Sequence, residues 1–318
     1  MRFLICGLGS IGRRHLRNLQ ALGQEDILLY RTGKSSLPDD DLAGLKVFND
    51  LQAALDREPQ AVIVSNPTAL HLPVAQAAAA AGCHLLLEKP VSDRSQGLDR
   101  LAKSVEDNHL RVLVGFQFRF HPGLMRLHEL LQEGVLGEVF SARAHWGEYL
   151  PDWHPWEDYR QSYSARPELG GGVVLTLCHP LDYLGWFFGE AQSLSAMVAS
   201  SATLNLQVED LAEINLAFRD GPIANLHLNY LQRPARHAIE VIGEHGTLRW
   251  EQADGVLQHY DAGKQAWRRF APPAGFERND LFMDEMRHFL EMLEQGVESR
   301  CTLQDGIRAL NWALAAKQ

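Results

Sequence analysis

The chain has 318 residues, 46% hydrophobic and 22% charged, which at about 150 residues per domain suggests two domains that need no disulfide or metal staples. Its 30 Lys and Arg against 40 Asp and Glu leave a formal charge of −10, which argues against nucleic acid as a partner, because phosphate neutralisation needs clustered base. No apolar run reaches the roughly 20 residues of a membrane span, and glycines interrupt the opening MRFLICGLGSIG too early for a signal peptide, so a cytoplasmic protein without membrane partners is expected.

The first part of the chain alternates short apolar runs with helical patterns. Strands are expected at Arg2–Cys6, Ile27–Tyr30, Lys46–Phe48, Ala61–Val64, His84–Leu87 and Arg111–Val114. Helices are expected between them at Ile11–Leu22, Leu51–Leu55, Leu72–Ala81 and Gly97–Asp107. Near-continuous apolar strands alternating with helices imply a parallel sheet covered on both faces. The run Ala77–Ala81 reads as helix, where alanine allows close packing on the sheet. After about Phe118 the pattern changes. A helix near Gly123–Gln132 leads to a strand at Glu138–Tyr149, an aromatic loop with prolines, and a short helix around Leu181–Phe188. Strand-like runs then follow at Ser195–Ala199, Leu211–Phe218, Ile223–Tyr230, His237–Ile242, Thr247–Glu251, Val256–Tyr260 and Ala266–Phe270. Turn residues such as Asp220-Gly221 and His245-Gly246 join them, as in a mostly antiparallel sheet. Two helices, Asn279–Leu293 and Thr302–Ala316, complete the pattern. Cys6, Cys83, Cys178 and Cys301 are scattered, which fits buried thiols in a reducing compartment better than a disulfide or zinc framework.

Several constellations can carry chemistry. Gly7-Leu8-Gly9-Ser10-Ile11-Gly12 leaves a strand and opens a helix, the setting in which a G-x-G-x-x-G loop holds a dinucleotide pyrophosphate on helix N–H groups. The second strand ends in Tyr30-Arg31-Thr32-Gly33-Lys34 with no acid before Asp39; Arg31 and Thr32, with Lys34, suit a ribose 2′-phosphate, so NADP(H) is favoured over NAD(H). Glu88-Lys89-Pro90 stands at the carboxyl end of a strand, where ligands of open α/β sheets bind, and a desolvated lysine there can take part in proton transfer.

Together with Asn66-Pro67 and His71, Ala81-Gly82-Cys83-His84, Gly115–Phe120, Gly170-Gly171-Gly172 before His179 and Asp182, and Cys301–Gly306, these motifs make nearly the whole chain resemble the glucose–fructose oxidoreductase / inositol dehydrogenase / MocA (Gfo/Idh/MocA) family. The resemblance implies an α/β protein: a doubly wound parallel Rossmann sheet in residues 1–118, then an α+β domain in residues 119–318. That second domain carries a large, mostly antiparallel open sheet for substrate binding and homodimer or homotetramer contacts. It implies that Ser65, Asn66, Pro67, Thr68 and His71 border the nicotinamide pocket. Glu88, Lys89, Gln117 and Arg119 are then expected at the cofactor, with Lys89 as catalytic or substrate-orienting group and a Lys–Pro bond that is often cis.

His179 and Asp182, three apart, share a helix face, where the carboxylate can orient the imidazole or bind a substrate hydroxyl; the resemblance supports His179 as the base. Thr176 and Pro180 depart from the family pattern, which has an acid at the first and often Glu or His at the second. Trp156, Tyr159, Arg160 and Tyr163 in the aromatic loop suit a sugar-like substrate, with an aromatic plug at a domain or oligomer contact as the structural alternative. No metal is expected, the set His154, His179 and Asp182 having no ligand-spacing signature. The expected function is therefore an NAD(P)-dependent oxidoreductase acting on the CH–OH group of a sugar, sugar nucleotide or polyol, with Lys89, His179 and Asp182 in the catalytic set. The alternatives are a non-redox glycoside hydrolase with tightly held NAD, or a cofactor-binding scaffold without catalysis.

Overall fold

A computed structural model describes residues 1–33, 42, 44–219 and 221–318. It divides into two compact units, Met1–Gln117 with Arg278–Ile307, and Phe118–Glu277 with Arg308–Gln318. Lys34 and Asp220 fall outside the described residues.

The elements up to residue 115 run β1 (Phe3–Cys6), α1 (Ser10–Ala21), β2 (Ile27–Tyr30), β3 (Lys46–Phe48), α2 (Leu51–Leu55), β4 (Ala61–Val64), α3 (His71–Ala80), β5 (His84–Glu88), α4 (Leu98–Asp107) and β6 (Val112–Gly115). The strands form a parallel six-stranded sheet in the order β3-β2-β1-β4-β5-β6. Every residue of β1, β4 and β6 is buried, as a sheet covered on both faces requires. The order reverses between β1 and β4, the switch point at whose carboxyl ends doubly wound sheets bind ligands.

The rest of the chain runs α5 (Pro122–Gln132), β7 (Val139–Tyr149), α6 (Val173–Thr176), α7 (His179–Phe188), β8 (Ala191–Ala199), β9 (Leu211–Phe218), β10 (Ile223–Asn229), β11 (Leu231–Gly243), β12 (Gly246–Glu251), β13 (Leu257–Asp261), β14 (Ala266–Phe270), α8 (Arg278–Gln295) and α9 (Leu303–Ala316). α8 packs on α1 in the first unit, with Arg14 Nη1 donating to Asn279 Oδ1 at 3.0 Å and its guanidinium 4.6 Å from the Phe282 ring centre. The Val114 N–H donates to the Cys301 carbonyl at 2.9 Å, and an added Cβ on Gly306 would lie 2.6 Å from Val91 Cγ1.

In the second unit the strands form an eight-stranded sheet, β14-β13-β12-β11-β7-β10-β9-β8. Only the β7–β10 pair is parallel. Alternation puts Ala212, Ile214, Leu216, Ala224, Leu226 and Leu228 in the core, the isoleucine and each leucine contributing about 1.5–3 kcal/mol when fully buried. β11 starts at Leu231 rather than at the expected His237, because its pairing with β7 is irregular between Leu231 and Arg236. The sequence there, Leu231–Arg236, interposes Pro and Arg and hides the strand pattern. α6 is a helix of four residues, too short for periodicity to declare it. Among the described residues, no helix is long and apolar enough to cross a membrane.

Candidate active site

In the first unit the loop 7–12 leaves β1 and opens α1. Gly7 has φ +94°, and a Cβ there would fall 2.5 Å from Asn66 Cα, so only glycine serves. A Cβ on Gly12 would overlap the Gly7 carbonyl oxygen and lie 2.8 Å from Ser65 Oγ, which itself donates to the Gly7 carbonyl at 2.9 Å. Gly9 has nothing within 4 Å of its Cβ direction, and no side chain caps α1. The loop thus leaves open space in front of uncapped helix N–H groups, the requirement for a pyrophosphate. Gly12→Ala is expected to lower dinucleotide affinity at least tenfold, measured by isothermal titration, because the helix must back away from the loop.

The other cofactor-side residues follow neighbouring strands. Ser65, Asn66, Pro67 and Thr68 follow β4, and Ser65 and Thr68 are buried. Asn66 Nδ2 donates to the Leu70 carbonyl at 3.1 Å, while its buried Oδ1 has no hydrogen-bond partner and stands ready to accept from a ligand. His71 lies between two carbonyl oxygens, Pro90 at 2.8 Å from Nδ1 and Asn66 at 2.7 Å from Nε2. Burial lowers its pKa despite both contacts. Arg31 and Thr32 follow β2, and the Arg31 N–H donates to the Phe48 carbonyl at 3.0 Å. Gln117 is buried just after β6.

Glu88 closes β5 and is buried; Lys89 is half-buried, and the Lys89–Pro90 peptide bond is cis, as the family resemblance implies. Burial pushes the Glu88 carboxyl up, but the hydrogen bond from His15 Nε2 at 2.8 Å and the charges of His15, Lys89 and His71 outweigh it and hold the group below the usual carboxylate range. Sequence reasoning passed over Arg13 and His15, whose signal was their place on the otherwise apolar face of α1 with Leu16 and Leu19. Arg13 is buried and donates from Nε to the Leu8 carbonyl at 3.1 Å, fixing the glycine loop from beneath.

In the second unit His179 is the first residue of α7 and is buried, with its ring centre 5.0 Å from Phe118 and 5.3 Å from Trp146. Pro180 falls in the first turn, where its missing N–H costs no helical bond. Thr176 ends α6 and is buried. Asp182 is buried in a two-pronged ion pair with Arg119, at 2.9 Å from Nε and 2.7 Å from Nη2. The structure thus joins two residues that the sequence placed in different roles, Arg119 at the cofactor and Asp182 at the substrate. In the aromatic loop, the Tyr159 hydroxyl donates to the Leu204 carbonyl at 3.0 Å and Arg160 lies over the Tyr159 ring at 4.9 Å. Trp156 and Tyr163 are exposed, Trp156 by 68%.

His237 stacks on Trp146 at 4.2 Å and donates from Nδ1 to Gln252 Oε1 at 2.9 Å. Burial pushes its pKa down to about 3, and burial likewise lowers His121 to about 4. Both folded values lie below the ordinary 6.5, so their contribution is intact above pH 6.5 and is lost as the pH falls toward 3–4, where the unfolded chain binds protons that the native rings refuse. Going from pH 7 to pH 5 is expected to cost about 2 kcal/mol for each ring, read as a falling urea midpoint that His237→Gln makes shallower.

Residues 1–116 match the family model described as "Oxidoreductase family, NAD-binding Rossmann fold", and residues 124–249 match "GFO/IDH/MocA C-terminal domain". An uncharacterized oxidoreductase of Synechocystis is 31% identical over 265 residues, covering 78% of this chain and 69% of that protein. Myo-inositol 2-dehydrogenase of Thermotoga maritima is 25% identical over 347 residues, covering 100% of this chain and 96% of the relative. The fold is shared with a levoglucosan dehydrogenase solved in complex with NADH and levoglucosan, with a TM-score of 0.87, 18% identity, and coverage of 100% of this chain and 96% of that one.

Proposed function

The chain belongs to the Gfo/Idh/MocA family, and on that premise we propose that it moves a hydride between a nicotinamide dinucleotide and a hydroxyl-bearing carbon of a sugar, sugar nucleotide or polyol. A nicotinamide-dependent oxidoreductase is what the family membership makes it. The observation that carries the reading is the alignment, along one sheet end, of the open glycine loop after β1, Ser65–Thr68 after β4 and Glu88-Lys89-Pro90 after β5. When bound, the cofactor supplies the hydride acceptor or donor. Lys89 then holds the substrate oxygen and shuttles its proton, with Glu88 fixing the local charge. His179, walled by Phe118 and Trp146, is the second proton-handling group, and Asp182 with Arg119 holds the start of α7 in place. Trp156 and Tyr163, the exposed aromatics of their loop, offer faces to a sugar.

The same reading assigns residues 1–118 to the dinucleotide and 119–318 to substrate and assembly. Arg31 and Thr32 after β2, with no acid at that strand end, favour NADP(H) over NAD(H). Met197, Ile223, Ile242 and Trp267 are exposed on the eight-stranded sheet and support a homodimer or homotetramer formed through it. Four buried free cysteines support a cytoplasmic site of action.

The test is to follow nicotinamide absorbance while the protein is offered NADP⁺ or NAD⁺ with a panel of polyols, sugars and sugar nucleotides. Net reduction with a panel member, stronger with NADP⁺, is the expected result. Substrate consumed without any net change in a retained cofactor would replace the reading with a hydrolytic cycle. Tight cofactor binding with no turnover on any panel member would replace it with a scaffold.

A further inference from the structure

Among the described residues, one group of His, Cys, Asp and Glu side chains brings its ligand-type atoms together, and the proposed reaction makes no use of it as a group. His15 from α1, Glu88 from the end of β5 and Glu285 from α8 place one imidazole nitrogen and one oxygen of each carboxylate within 4.8 Å of one another. All three lie in the first unit and are buried, with exposures of 0%, 6% and 0%. Both oxygens of Glu285 and the Nδ1 of His15 have no hydrogen-bond partner. A fully buried carboxylate with neither oxygen bonded is among the costliest groups a protein can hold, and the carboxylate of Glu88 stands beside it.

We infer that His15, Glu88 and Glu285 form a buried structural site for one small divalent transition-metal cation of the zinc class. Two carboxylates and a neutral imidazole carry two negative charges, which a divalent cation cancels. The donor set, one nitrogen and two carboxylate oxygens, suits zinc or manganese; calcium and magnesium favour sites richer in oxygen. Ligand bonds of about 2.0–2.2 Å call for donors about 3–4 Å apart, which side-chain rotations of the kind available to two glutamates supply. The cation bonds His15 Nε2 and Glu88 Oε1 in place of the hydrogen bond between them, the imidazole carrying its one proton on Nδ1 so that the ring stays neutral. The Phe282 ring stands edge-on to His15 at 6.5 Å and contributes an apolar wall. A cation here ties α1, the strand that ends in Glu88-Lys89-Pro90, and α8 together within the first unit.

The protein is purified without chelator, its metal content measured by plasma mass spectrometry, and its melting temperature followed through EDTA dialysis and re-addition of zinc chloride or manganese chloride. The expected result is about one equivalent per chain, a melting temperature that falls by several degrees after EDTA, and recovery with the added ion. Glu285→Gln and His15→Gln are expected to lose the bound ion and the response to it. A wild-type protein that holds no stoichiometric metal and whose melting temperature ignores both EDTA and added ions overturns the site. So does Glu285→Gln melting higher than the wild type in metal-free buffer with no metal response in either, which is the result for a carboxyl that simply keeps its proton. Because these readouts are metal content and melting temperature, they stand or fall separately from the oxidoreductase assay.

Discussion

Lys89→Ala is expected to lower kcat by about 10²–10⁴-fold while dinucleotide affinity changes only a few-fold. Lys89 is half-buried just beyond β5, its backbone N–H 3.2 Å from Glu88 Oε2, so truncation removes an ammonium without opening the core. The loss should appear in kcat and in kcat/KM together, as for a group whose contribution is made in the transition state. Lys89→Arg should not restore turnover, because a guanidinium keeps its charge and cannot pass a proton at ordinary pH. Steady-state kinetics on the substrate identified in the panel, beside a cofactor titration of each variant, measure both quantities. Full turnover in Lys89→Ala would remove the lysine from the chemistry and leave His179 as the group to test next.

Arg119→Ala is expected to cost about 3–5 kcal/mol of stability, the range for stranding one member of a buried ion pair. Asp182 is 2% exposed and takes both prongs of the guanidinium, so the remaining carboxylate has no water to turn to. The double variant Arg119→Met with Asp182→Leu should recover most of that loss, because two apolar side chains of similar volume can replace a buried pair at little cost. Urea midpoints for the two single variants and the double variant close the cycle. Equal losses in the single and double variants would mean that the pair acts through packing alone.

Much of this was readable in the sequence, for a physical reason. The parallel strands β1, β4 and β6 are buried throughout and show as near-continuous apolar runs, and β2, β3, β4, β9 and β14 fall on the expected residues. The glycine loop was readable because its motif sits between a strand and a helix within six residues, with Gly7 at positive φ, although the atoms that exclude a Cβ at Gly7 come from Ser65 and Asn66. The pairing of Arg119 with Asp182 was not, since nothing in a helical spacing says which distant cation meets an acid. The same holds for Glu285: α8 shows as a helix, but its pattern does not say that its buried acid reaches the residue before Lys89. His15 sat in view beside the glycine loop, where a polar residue on an apolar helix face is a sign of a buried partner.

The discontinuity of the first unit governs the order in which the chain can assemble. Residues 1–117 are made before the rest of their own unit, so the face of α1 that receives α8, and the edge at Val114 that receives Cys301, wait for the segment Arg278–Ile307. A ribosome must therefore make Phe118–Glu277 before the first unit closes, and until then the nascent sheet carries an uncovered flank that a chaperone is suited to shield. The dinucleotide half is begun before the other unit and closes only after most of that unit has been made.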